Sequence, residues 1–349
     1  MHNLRIPLVG TAAVSSVLVA ILLPNESWAT VITAVLLVGG LLSFFSDRLQ
    51  NALRHLFTRR PGAISGIPVA LFCLYAFYAL GNGAWDTNQA LKIGIFFAAP
   101  TLLVCLASRY GSNRSMLDMC AVLAVWLPFD FRVLGRSDGN DREFDYYLGS
   151  AAATILAMTL FVCVREFCDA NVCCKGSLRD AWYTAAALGL SACTLIPLGI
   201  IWDFMRIKPG LFSELGTVAM LGVIAERTFS MSFLLAIAGK SLVIALPEEF
   251  LFRGIIQNYL KNILANTWLA VGVTSLIFGA AHLNNGACSW HVADWNWAYA
   301  GLAAIAGGGY GWVFLKTRSI LFPIVLHGTV DAVCHTFFQV VYAVRSCAA

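Results

Sequence analysis

Apolar run follows apolar run along this 349-residue chain, and most of the runs are long enough to cross a bilayer as a helix and too long for a buried strand. They are Pro7 to Pro24, Ala29 to Phe45, Ile64 to Leu80, Ile93 to Ala107, Leu117 to Phe129, Leu148 to Val164, Trp182 to Trp202, Phe229 to Leu260, Trp268 to Leu283, Trp297 to Leu315 and Ile320 to Val344. In hydrocarbon every backbone N–H and C=O must find its partner within its own segment, so such runs can only be helices. The fold class expected is therefore all-α: a polytopic transmembrane helical bundle of about ten to eleven helices. Leu117 to Phe129 is short and is expected to be re-entrant or interfacial. Arg5 before the first run imitates a secretory signal, but another apolar run begins at Thr30 and no small-x-small site leads into a soluble domain. The first run is read as a retained span.

Composition agrees. Charged residues make up 12% of the chain and hydrophobic ones 59%, with mean hydropathy +0.75, whereas a soluble domain carries about 25% charge. The net charge of +4 is spread over many loops without a basic block, which gives nucleic-acid binding no support. The Lys/Arg bias of the loops places the N-terminus in the cytoplasm. Of the eleven cysteines, Cys73, Cys105, Cys120, Cys163, Cys193 and Cys334 lie in apolar runs and read as small hydrophobes. Cys168, Cys173 and Cys174 share a polar connection, with a spacing that suits neither a zinc site nor a disulfide framework. Between Ser46 and Gly62, Arg48, Arg54, Arg59 and Arg60 stand among leucines, as in a helix lying on an anionic leaflet or an ordinary basic cytoplasmic loop. The link from Asp130 to Tyr147 mixes both signs of charge and reads as solvated.

Against this background Leu246-Pro247-Glu248-Glu249-Phe250-Leu251-Phe252-Arg253 stands out, because it sets two carboxylates and a guanidinium inside an apolar run. Ionisable groups at membrane depth are costly unless paired or facing a wet cavity. Helical spacing lets Glu249 pair with Arg253 and turns Glu248 about 100 degrees away, leaving it free. Pro247 predicts a break or kink whose freed carbonyls need water or side-chain partners. Two later runs hold matching parts: His282 ends Phe278-Gly279-Ala280-Ala281-His282, and His327-Gly328-Thr329-Val330-Asp331 places a histidine and an aspartate one turn apart. Convergence of these helices on one pocket accounts for groups that would each be costly alone.

In this order, Glu248-Glu249-x-x-x-Arg253, Phe278-x-x-x-His282 and His327-x-x-x-Asp331 resemble the motifs of the CAAX protease and bacteriocin-processing (CPBP) family of glutamate-type intramembrane endopeptidases. The resemblance covers Phe229 to Val344. It divides the chain into N-terminal transmembrane helices of unassigned role, 1–228, and a peptidase-like domain, 229–349. It implies an integral, multi-pass membrane enzyme, in the plasma membrane if prokaryotic, that cleaves membrane-anchored proteins or peptides with no cofactor and no metal. Glu248 would be the general base, His282 would hold and polarise the water, and His327 would donate to the oxyanion, with Glu249 and Arg253 as supporting ion pair. Many members carry asparagine where this chain has Asp331. An ionised aspartate cannot donate, so Asp331 either stays protonated or accepts from His327 and fixes its tautomer; the second is expected.

Other readings compete. A zinc peptidase with glutamate and histidine ligands lacks HExxH and would draw its ligands from three helices. A non-catalytic binding or immunity protein could keep the same fold and residues. His335 is expected to hydrogen-bond a neighbouring helix, and Lys240 either to snorkel or to meet a carboxylate. His291, with Asp294, Trp290, Trp295 and Trp297, reads as part of an interfacial belt. Gly307, Gly308, Gly309 and Gly311 suit close helix packing or room for a substrate backbone. The ending Cys347-Ala348-Ala349 is one residue short of a prenylation box.

Overall fold

The structure, a computed structural model, describes residues 26–109, 114–130, 143–165, 176–208, 227–283 and 295–341. The run from Pro7 to Pro24, the cluster of Cys168, Cys173 and Cys174, the link 131–142, the residues Trp290, His291 and Asp294, and the ending from Cys347 lie outside them. The described residues form eleven continuous helical stretches, which fall into two compact units divided after residue 174.

The first unit holds six helices. These are α1 (Trp28–Ser43), α2 (Asp47–Arg59), α3 (Pro61–Gly81), α4 (Thr87–Arg109), α5 (Arg114–Asp130) and α6 (143–164), whose last turns, Met158–Val164, widen into a π-helix. Ser27 caps α1 by accepting from the Thr30 N–H. The basic segment after it is a helix and not a loop: α2 leaves α1 at 91°. Gln50 is tucked under it, donating to the Phe44 carbonyl at 2.6 Å, and Phe57 is buried. Arg54 Nε donates to the Val162 carbonyl in the π segment at 3.2 Å. A π-turn leaves carbonyls badly aimed along the helix and open to such a donor.

The second unit holds α7 (Leu178–Ile201), α8 (227–264), α9 (Thr267–Ala281), α10 (Trp297–Thr317) and α11 (Leu321–Phe337). Ser177 and Asp180 form a capping box at the start of α7. Asn266 and Asn296 cap α9 and α10. The last apolar run does not stay helical to Val344. It leaves the helix at Phe337, and β2 (Phe338–Val340) pairs antiparallel with β1 (Met205–Ile207), the strand that follows α7.

Pro247 does not break α8. The turn before it, Ser241–Ala245, is π-helical, with the Leu246 N–H reaching back to the Ser241 carbonyl, and a second π segment, Phe250–Gln257, follows. The wide turn opens the ladder where the proline ring needs room and has no N–H to give, so the helix passes through. Glycines let the helices close around this region. A Cβ on Gly279 would stand 2.8 Å from Ala304 Cβ, and one on Gly328 would stand 2.8 Å from Ser241 Cα, so α9 meets α10 and α11 meets α8 nearly backbone to backbone.

Among the described helices, α3, α4, α7 and α10 are long and apolar enough to cross a membrane, and the α1–α2 pair is a fifth if it forms one bent span. Their outward faces carry exposed leucines such as Leu91, Leu102 and Leu190, a surface that suits lipid and not water. The apolar-run cysteines divide: Cys163 is buried, Cys105, Cys120 and Cys334 are half-buried, and Cys73 and Cys193 lie on the surface.

Candidate active site

Glu249 and Arg253 are fully buried on α8, and Arg253 Nη1 donates to Glu249 Oε1 at 3.0 Å, the pair that helical spacing predicts. The guanidinium also donates through Nη2 to the Gly307 carbonyl on α10, at 3.0 Å. It lies over the Phe278 ring at 4.5 Å and the Tyr310 ring at 5.3 Å, a geometry that binds a cation to aromatic faces. A side chain at Gly307 would sit 3.1 Å from Arg253 Nη2 and 3.1 Å from Phe278. The glycine run of α10 thus serves close packing, and what it admits is the arginine of its neighbour. One turn on, Gln257 occupies the space a side chain at Gly311 would need.

The same Glu249 Oε1 accepts from His327 Nδ1 at 2.8 Å. Tyr310 stacks on the His327 ring, centroids 4.6 Å apart and planes at 17°, and the Phe278 edge closes another side. This corrects one expectation. Asp331 Oδ2 is 3.8 Å from His327 Nε2, beyond hydrogen-bond range. The two residues share a face of α11, but the Nδ1 side of the ring turns toward α8. The group that orients His327 is therefore Glu249.

His282 caps α9. Its Nδ1 lies 2.8 Å from the Phe278 carbonyl, and its ring packs against Phe278 and Tyr299. A carbonyl can only accept, so Nδ1 carries the proton and, in the neutral ring, Nε2 presents a lone pair. Both Nε2 atoms face Glu248: its Oε2 is 4.0 Å from that of His282 and 3.9 Å from that of His327. These distances are too long for direct hydrogen bonds and suit one bridging water. The Glu248 side chain is 28% exposed and that of Asp331 31%, where Glu249 is closed off completely. Glu248 Oε2 has no hydrogen-bond partner among the described residues.

The structure thus brings together Glu248, Glu249, Arg253, His282, His327 and Asp331. Lys240 forms no ion pair with either glutamate among the described residues, and the His335 side chain is exposed, while its backbone carbonyl accepts from Lys208 Nζ. Trp295 and Trp297 pack together, Trp297 outward. Among the described residues no group of three or more His, Cys, Asp or Glu side chains is placed to hold a metal ion. Tyr310, Tyr299 and Gln257 are neighbours of the site that the sequence did not single out. Tyr310 could have been noticed as the one bulky residue inside Gly307-Gly308-Gly309-Tyr310-Gly311.

Helices of this length and polarity, with this cluster among the C-terminal ones, define an integral membrane protein of the polytopic helical class. Residues 230–333 match the family model for Rce1-like proteins, type II CAAX prenyl endopeptidases, within the CPBP family. The match begins on α8, ends just past Asp331, and so encloses every residue of the cluster; the family it matches is one of proteases. No curated protein and no solved structure matches the chain.

Proposed function

We propose that the chain is an intramembrane endopeptidase that cleaves membrane-tethered peptides or proteins with a water activated by Glu248 and His282. The observation that carries this reading is the gap between Glu248 Oε2 and the two Nε2 atoms, about 4 Å on each side, where a water can donate to the carboxylate and to His282 while its lone pair faces a scissile carbonyl. Attack forms the C–O bond as Glu248 takes the proton. The negative charge moves to the carbonyl oxygen, and His327, protonated at Nε2 as well, donates to it. Glu249 and Asp331 balance the charge of that imidazolium. Glu248 then returns its proton to the amine as the C–N bond breaks. Arg253 holds the Glu249 carboxylate in place, so the ion pair acts through His327.

The test compares membranes carrying wild type with membranes carrying Glu248→Gln, by mass spectrometry of membrane-protein fragments, with a chelator arm alongside. Fragments that vanish in the variant and persist with chelator support the reading and name the substrate. Loss of cleavage with chelator alone replaces it by the zinc mechanism. No difference between folded wild type and variant moves the protein to a binding or immunity role.

A further inference from the structure

We infer that the outer edge of β1 is a docking strand, to which the substrate adds its backbone as a third, extended strand on the way to Glu248. This rests on the peptidase reading. A peptide bond inside a helix has its carbonyl engaged and wrapped by neighbouring turns, so hydrolysis requires an extended stretch, and inside a bilayer an extended stretch requires a partner for each backbone group. A sheet edge supplies that partner.

The ribbon lies at the correct end of the bundle. α7 leads into β1 and α11, which bears His327 and Asp331, leads into β2. Phe204, just before β1, packs on Tyr299 at 4.9 Å, and Tyr299 packs edge-to-face on His282 at 4.8 Å. From Asp331 to Phe338 the rise along α11 is about 10 Å, which about three residues of extended chain would span.

The ribbon is also held ready. Arg206 makes a two-pronged bond to Asp203, and Lys208 Nζ donates to the His335 carbonyl. The ladder bonds run from the Val341 N–H to Phe204 and from the Lys208 N–H to Phe337. The register pairs Arg206 with Gln339. Antiparallel alternation then turns the N–H and C=O of Met205 and Ile207 away from β2, and no described backbone group bonds them. On the opposite edge the Phe338 N–H is already taken by the Cys334 carbonyl, so among the described residues β1 is the edge that offers a full set of donors and acceptors.

The test uses the full chain in proteoliposomes, with a farnesylated fluorogenic peptide ending in Cys-aliphatic-aliphatic-X as probe. Ile207→Pro removes one outward N–H and spares the ladder; proline is tolerated on an edge. KM should rise about five-fold with kcat unchanged, while Val340→Pro on the other edge stays within about two-fold, both variants unfolding at the wild-type temperature. Replacing successive amides of the probe by esters should weaken cleavage at every second position. Equal effects of the two proline variants, or an ester scan without alternation, overturn the docking strand while leaving the peptidase reading intact. Wild type that leaves the probe uncut removes this substrate class from the peptidase reading. Photo-cross-linking from p-benzoylphenylalanine at position 207 of the Glu248→Gln protein then decides the edge alone: a cross-link competed away by unlabelled probe supports it, and none refutes it.

Discussion

Each of the two units buries an arginine against a carboxylate, and the two pairs are built in opposite ways. In the first unit Arg165 holds Asp118 with both prongs, Nε to Oδ1 at 2.7 Å and Nη2 to Oδ2, with the side chains 3% and 2% exposed. Both carboxylate oxygens are used, and the pair ties α5 to the end of α6. In the second unit Arg253 and His327 share Glu249 Oε1, while Glu249 Oε2 and Arg253 Nε have no partner among the described residues. Glu249 and Arg253 belong to one helix, and among the described residues the pair's hydrogen bonds to other helices go to His327 and Gly307. A closed pair spends its field on itself and fixes structure. An open pair keeps field and hydrogen-bonding capacity for a third group, here a histidine beside an enclosed carboxylate.

The sharpest way to separate the two is to remove the free glutamate. Glu248→Gln should lower cleavage by about three orders of magnitude and leave the unfolding temperature in detergent where it is, since Glu248 Oε2 makes no hydrogen bond among the described residues; a fall in both together would make the second cluster structural too. Asp118→Ala should do the reverse. Stranding a buried arginine costs about 3–5 kcal/mol, seen as a lower unfolding temperature, with the specific activity of the folded fraction retained. Gly307→Ala falls between. Its Cβ would press on Arg253 and Phe278, an overpacking of about 1–3 kcal/mol that should reduce activity along with stability. Tyr310→Leu should lower kcat by about three- to ten-fold through loss of the stack on His327, while Tyr310→Phe, which keeps the ring, stays near wild type.

The smallest effect belongs to the exposed pair of Asp203 and Arg206. The Arg206 hydrogen bond holds the Asp203 carboxyl below its ordinary range. Whatever stability this adds is present above the ordinary carboxylate pKa and is lost as pH falls through the lowered one. Asp203→Asn should remove that acid-side dependence, with little change in unfolding temperature at neutral pH, because water screens a pair this exposed.

Several parts of this molecule were decided by the sequence alone, because their physics is local. Apolar runs must be helices in hydrocarbon, and the helices appear where Ala29 to Phe45, Ile64 to Leu80 and Trp297 to Leu315 place them, within a few residues. Glu249 meets Arg253 because residues four apart share a helix face. Glu248, His282 and His327 could be named because a titratable group in an apolar run is costly wherever the run ends up. The tertiary structure decided what depends on how helices turn and how closely they approach. Asp118 and Arg165, 47 positions apart, gave no local sign of each other. The choice of Glu249 over Asp331 as partner of His327 depends on how α8 and α11 turn toward each other where Gly328 meets Ser241. Tyr310 became part of the site because Gly307 lets α10 close on Arg253. The final apolar run became a strand because β1 was there to pair with it. Each is a contact between residues far apart in the chain, and sequence periodicity, which records only which face a residue occupies on its own helix, carries no information about such contacts.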